Sequence, residues 1–402
     1  MQISRRDTRV SSLSPFILMP GALSAMLRRS HKKSRAGCLP CKQRHVKCDE
    51  RRPICLLCTM SNRDCSYASE AKTPPQASAP SSPSSQPEAI DEEINLKHME
   101  LILHMTTNGE MFNLGDSIEP NPPGIGFTLK KGLESPYLLY ECLAFSARHL
   151  AYLHPERSVA LLHQAVTLQT RAVALFNADR LHVDRSNCVA ILLFSVVLGH
   201  HLLADTLGKR TPDGLDAFLV HYVQCAETLR GVRIVLMAAR PLLMETELEP
   251  VLSRSIRFTS QDPKGRDCDR IKTLILNTRT LIDGEKTACV RAIQYLQIGF
   301  DAIPPTAPDH KMRYQMLFLW AVLVPPDFIT LLVARRPEAL VILGYYAVLL
   351  HYGRHMWQVG DSGLYILGLI EGYLGREWDE CLEFPRRCIR ELGIDNFNSL
   401  AA

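Results

Sequence analysis

The sequence predicts a two-part chain: a small cysteine-built head followed by a larger all-α body. Three observations predict it. Six of the chain's 13 cysteines crowd between residues 38 and 65. Residues 71–90 draw 14 of their 20 residues from Pro, Ser and Ala. Beyond residue 91 apolar side chains recur at helical spacing, while alternating strand patterns are scarce. The charge divides at the same place: residues 1–70 hold 14 Lys and Arg against 5 Asp and Glu, which leaves 32 against 37 for the rest. A basic head on a mildly acidic body marks a polyanion-binding module joined to a separate domain. With 402 residues, 46% of them hydrophobic and 22% charged, the chain has enough apolar material for a sizeable core.

Residues 1–27 show no clear periodicity and read as a flexible extension. Phe16 to Met19 follow Arg5, Arg6 and Arg9 as a signal peptide would arrange them, but Pro20-Gly21 cuts the apolar stretch short, so no cleaved signal is expected. Both Met1 and Met26 stand as candidate starts. Residues 28–70 form the next unit, a basic arm (Arg28, Arg29, Lys32, Lys33, Arg35) running into the cysteines. The Pro/Ser/Ala segment 71–90 cannot bury enough surface to fold and is expected to be a disordered linker. Residues 91–402 then form the helical domain.

The cysteines are Cys38, Cys41, Cys48, Cys55, Cys58 and Cys65, and the second three repeat the first three at an offset of 17 positions. Two half-motifs of equal length predict a pseudo-twofold unit in which each half brings three thiolates to a shared centre. Two tetrahedral zinc ions need eight ligand bonds, which six thiolates supply if two of them bridge. By symmetry the bridges are expected at Cys38 and Cys55, the first of each half. Two Zn(II) on six thiolates carry a net charge of −2, which nearby Arg and Lys offset. The alternatives are a single structural zinc or a redox thiol cluster. Few apolar side chains lie between Cys38 and Cys65, so metal binding is expected to supply the folding free energy.

This spacing, with Lys42, Arg44 and Lys47 between the second and third cysteines and Pro53 before the fourth, resembles the fungal Zn(II) binuclear cluster transcription factors. The resemblance implies a short helix after each Cys-x-x-Cys, the first of which enters the DNA major groove end-on. It places Arg44 and His45 at base-contacting positions and Lys42 and Lys47 at phosphates or groove edges. Arginine suits a bidentate contact with guanine O6 and N7. His45 departs from the family, which usually has Lys or Arg there. Arg35 and the rest of the basic arm are expected to touch phosphates, and Arg28, Arg29, Lys32 and Lys33 to act in nuclear import as well. Arg51 and Arg52 read as solvated charge.

In the body, Ser135-Pro136 offers an N-cap and first-turn proline for a helix over 137–153. Leu161, Ala165, Leu168, Ala172 and Leu175 form an amphipathic stripe. Further helices are expected at 188–207, 215–239, 270–282, 288–301, 314–324, 338–352 and 363–377. The longest strongly apolar run, 339–350, is too short to span a bilayer, so no membrane span is expected. Stretches 94–105, 146–156, 168–177, 339–350 and 377–386 resemble the sterol-uptake-regulator branch of the same family. That resemblance implies a helical regulatory domain which can take an apolar small molecule, and it extends to regulators of biosynthetic gene clusters.

Several catalytic look-alikes have structural readings. Gly360-Asp361-Ser362-Gly363 matches a serine-protease nucleophile motif but falls between helical segments. His351 and His355 stand one turn apart without an adjacent Glu base, and read as a surface or capped core pair. His200-His201 and the body's Cys142, Cys188, Cys225, Cys268, Cys289, Cys381 and Cys388 show no ligand spacing. Trp320, Trp357 and Trp378 read as core anchors. Pro74, Pro75, Pro80, Pro83 and Pro87 forbid a coiled coil after the head, leaving monomeric DNA binding or dimerisation through the body. The whole reads as a nuclear regulator of RNA polymerase II promoters that binds double-stranded DNA and the transcription machinery and is not an enzyme. The rivals are a sensor of small apolar ligands acting through partner contacts, and an enzyme merely targeted to DNA.

Overall fold

The computed structural model describes residues 36–44, 46, 48–61, 64–67, 94–112, 124–178, 182–210, 212–304 and 312–399. The expected extension 1–27, the basic arm and the linker 71–90 lie outside these residues. The chain divides into two compact units, residues 19–93 and a second unit containing everything from Ile94 onward.

The head contains two one-turn helices, α1 (Leu39–Gln43) and α2 (Leu56–Met60), each opening directly after a cysteine. Its interior is made of cysteine sulfur, with Tyr67 packed against it. Leu39, Val46, Ile54, Leu56, Leu57 and Met60 are all exposed, so no hydrophobic core holds these residues together.

The body is built from helices α3 (Leu96–Thr107), α4 (Ile125–Glu134), α5 (Pro136–Leu153), α6 (Ser158–Ala178), α7 (Cys188–Gly208), α8 (Gly214–Leu243), α9 (Glu249–Ser260), α10 (Asp269–Asn277), α11 (Asp283–Ala302), α12 (Gln315–Leu323), α13 (Pro326–Val333), α14 (Pro337–Tyr352), α15 (Ser362–Tyr373) and α16 (Asp379–Ser399). Helices α4, α9, α13 and α16 were not expected as separate elements. Helix α10 stops at Asn277, five residues short of its expected end, because Thr278 turns extended and Glu285 then caps Ile282 at the start of α11.

Helix α14 is the centre of the body. It is apolar all round and buried from Glu338 to His351, the pattern of a helix enclosed on every side. Against it, Tyr346 stacks on Trp320 at 4.3 Å and donates to the Leu317 carbonyl at 2.6 Å, and Trp320 donates to the Ala292 carbonyl at 3.0 Å. Trp320 is fully buried and Trp378 packs at the edge of the same core; Trp357 packs on a second cluster and donates to the Met111 carbonyl at 3.1 Å. Helices α3, α5 and α6 enclose a third cluster around Leu101, Ala147, Leu161 and Leu168.

The expectation of no membrane span meets candidates that rest on length and composition alone. By length and composition two helical stretches are apolar enough, Pro155–Ala178 and Cys188–Gly208, and the α12–α13 pair would join them were it not bent by 86°. Much of α7 is buried within the body, while most of α6 is not.

One buried polar cluster makes a prediction. On α5, Glu141 pairs with His201 at 2.9 Å with both side chains enclosed, and His149 meets His104 at 3.0 Å. Burial, reinforced by His104, pushes His149 down to about 4, and burial alone does the same to His200. Both therefore fold neutral. Because the folded state resists a proton that the unfolded chain accepts, stability is full above the ordinary histidine range near pH 6.5 and falls as pH drops towards 4. For His149 alone the loss at pH 5 is about 2 kcal/mol. Helical ellipticity followed on heating at pH 7 and pH 5 should show a lower melting temperature at pH 5, and His149→Gln should narrow the gap; an unaltered gap in that variant would refute the assignment.

Candidate metal centre

Each half of the head brings its cysteines inward by the same local device. Cys38 and Cys55 stand extended before α1 and α2, and Cys41 and Cys58 face inward one turn later. Pro40 presets the backbone of α1. The amide of Leu56 in α2 donates to the Asp49 carboxylate at 3.0 Å, and the Leu39 amide donates to the Ser66 carbonyl at 2.8 Å, closing the unit end to end. Tyr67 donates to the Arg51 carbonyl at 2.7 Å and lies 3.8 Å from the Cys48 sulfur, with the Arg52 guanidinium over its ring.

The sulfur atoms form two groups of four, Cys38, Cys41, Cys48, Cys55 and Cys38, Cys55, Cys58, Cys65. Cys38 and Cys55 belong to both. Sulfur separations are 3.7 Å for Cys38–Cys55 and Cys38–Cys58, 3.8 Å for Cys41–Cys55 and 3.9 Å for Cys38–Cys48. A tetrahedron of thiolates about 2.3 Å from a zinc ion has edges of about 3.8 Å, so the sulfurs already stand where two such ions require them. None of the 13 cysteines is in a disulfide.

The surrounding groups favour thiolates at some positions and oppose them at others. Burial raises Cys48, but amides including that of Glu50 (3.4 Å) and the Tyr67 hydroxyl outweigh it and pull the thiol down to about 7. Burial and neighbouring sulfur push Cys58 up to about 12, and the same causes raise Cys41. Six thiolates in one small volume therefore need cations among them, and metal binding must release protons.

Of the predicted DNA-contacting residues, Lys42 lies in the last turn of α1 and Arg44 caps its C-terminal end, both exposed. His45, Lys47, Arg35, Arg28, Arg29, Lys32 and Lys33 lie outside the described residues. Sequence reasoning missed Asp49 and Tyr67. Tyr67, two residues after the last cysteine, Cys65, carried an aromatic signal, whereas the reach of Asp49 to Leu56 depends on the fold of the loop between them. In the body, the Ser362 hydroxyl of the protease-like motif is fully buried and unpartnered among the described residues, so it is closed to any substrate.

Residues 36–74 match the model of the fungal Zn(2)-Cys(6) binuclear cluster domain. A Zn(2)-C6 fungal-type transcription factor, afumD, of Aspergillus fumigatus is 25% identical over 345 residues, covering 78% of this chain and 84% of that protein. Sterol uptake control protein 2 of Candida albicans is 56% identical over 43 residues, 11% of this chain and 6% of that one. Transcriptional regulatory protein moc3 of Schizosaccharomyces pombe is 40% identical over 65 residues, 16% of this chain and 13% of that one. The second and third likenesses are confined to short stretches, and the first runs through the body. Two sulfur tetrads with common corners, in a segment that matches this domain model, make the head a fungal Zn(2)-Cys(6) binuclear cluster domain that binds two zinc ions, in a chain similar to Zn(2)-C6 fungal-type transcription factors.

Proposed function

We propose that this chain is a nuclear, sequence-specific regulator of transcription by RNA polymerase II. Its head reads DNA and its helical body controls activity. The observation that carries the reading is the pair of sulfur tetrads with α1 projecting exposed Lys42 and Arg44 from the first of them. Cys38 and Cys55 bridge the two zinc ions, and the remaining four cysteines hold one ion each. Arg44 and His45 contact base edges; Lys42, Lys47 and Arg35 neutralise phosphates. Arg28, Arg29, Lys32 and Lys33 serve import. In this reading residues 28–70 are the DNA-binding unit, 71–90 a linker and 91–402 the regulatory domain. The name of one relative, sterol uptake control protein 2, supports sterol genes as targets; a biosynthetic gene cluster is the other reading.

Selection of bound sequences from a random DNA pool, using the full zinc-loaded chain, tests this. An enriched motif is expected, and Arg44→Ala should lose about 1–3 kcal/mol on that motif while keeping its affinity for unrelated DNA. Affinity should fall steeply between 50 and 200 mM salt because each neutralised phosphate releases counterions. No enriched motif, or one bound equally by Arg44→Ala, would remove the assignment of α1 as the reading helix.

A further inference from the structure

Helix α6 is apolar on the side it turns away from α5. Between Ser158 and Thr170 the sequence holds no Asp, Glu, Lys or Arg, yet only Leu161, Ala165 and Leu168 of this stretch are enclosed, in the cluster shared with α5. Val159, Leu162 and Val166 face solvent. Helix α3, which also packs on α5, repeats the pattern: Leu101 and Met105 are enclosed, while Leu96, Met99 and Leu103 are exposed.

Spacing and one ion pair join the two stripes. Leu96, Glu100 and Leu103 stand at i, i+4 and i+7, one line along α3. Glu100 pairs at 2.8 Å with Arg157, the residue before α6 begins, and from that junction Val159, Leu162 and Val166 run along α6 at i, i+3 and i+7. The six apolar side chains are 39% to 84% exposed, which amounts to roughly 700 Å² of apolar surface. That exceeds the ~300–600 Å² of the largest patch on an ordinary monomer and approaches the ~800 Å² that each partner gives to a stable dimer.

The charges decide what covers the patch. In a twofold interface a surface meets its own copy, so its charges must be balanced within one chain. Glu100 and Arg157 balance each other, and Lys97, turned about 100° around α3 from Leu96, falls at the rim. A charged partner would find no unpaired charge on α6 to meet it, and a lipid surface favours the flanking Lys, Arg and aromatic residues that 158–170 lack.

We propose that α3 and α6 form the interface between two copies of this chain related by a twofold axis. The body thereby supplies the pairing that the prolines of 71–90 deny to a coiled coil. Residues 68–93, between the described head and α3, span at most about 90 Å when extended, so each head keeps that reach from the shared interface. One consequence rests on the DNA-reading function proposed above: paired half-sites should be bound at many spacings and in either orientation.

Sedimentation velocity of the full zinc-loaded chain without DNA, from about 1 to about 50 µM, tests the interface separately from that function. A dimer is expected, and Val166→Glu and Leu103→Glu should each raise its dissociation constant at least about tenfold, because each buries unpaired carboxylates in the interface. Both positions are exposed in the single chain, so helical ellipticity and melting temperature at low concentration should stay as in wild type. Val220→Glu, at an exposed apolar position on α8 outside the patch, should leave the dimer unchanged. A wild-type chain that sediments as a monomer throughout overturns the proposal, as does a dimer that both patch variants leave intact. Adsorption of monomeric wild type to phosphatidylcholine–phosphatidylserine vesicles, abolished by Val166→Glu, would assign the patch to a lipid surface instead.

Discussion

Cys38→Ser should strip both zinc ions from the chain and unfold the head, whereas Cys41→Ser should retain part of the metal. The asymmetry follows from geometry: Cys38 is a corner of both sulfur tetrads and Cys41 of one. The effect is large because the head has no alternative source of stability. Its larger apolar side chains face solvent, and its interior is thiol. Zinc binding at such sites is worth about 10–16 kcal/mol, nearly all of which appears as folding free energy. Elemental analysis of the full chain, with resistance of residues 36–67 to proteolysis, reads both quantities. Zinc lost to the same extent from Cys38→Ser, Cys55→Ser and Cys41→Ser would falsify the bridging assignment, and two zinc ions retained in Cys38→Ser would show that the tetrads are not the metal sites.

Trp320→Ala should destabilise the body by about 3–5 kcal/mol and leave the zinc content untouched. Trp320 is fully enclosed, stacks on Tyr346 at 4.3 Å, meets Phe328 at 5.6 Å and donates to the Ala292 carbonyl. Truncation opens a cavity beside α14 and removes that hydrogen bond. Because head and body are separate compact units, a core lesion in one should not reach the metal of the other. Thermal unfolding followed by helical ellipticity, paired with zinc analysis, separates the two. A parallel loss of zinc would mean that the units fold as one.

The head was legible because its information is local. Ligand spacing is nearly a geometric statement: Cys-x-x-Cys brings two sulfurs to one side of a short turn, and the repeat at 17 positions doubles it. The body was legible less evenly. Helix α14 stood out as an unbroken apolar run, and α5 through its Ser135-Pro136 start. Helix α13 did not, since only Val324 and Pro325 divide it from α12, and an apolar stretch carries no sign of an 86° bend. Helices α8 and α16 contain Pro241 and Pro385, residues that argue against helix in a single sequence.

The sequence by itself determined the zinc centre and the all-α class, because intervals between ligands and the period of apolar residues are properties of neighbouring positions. Only the tertiary structure decided which helix is central, which histidines are enclosed and where α15 meets α14. Burial and orphaned donors depend on residues far apart in the chain. His351 reads as an ordinary residue at the end of an apolar run, and becomes a buried side chain with no partner among the described residues only when α15 is brought against it at Gly363.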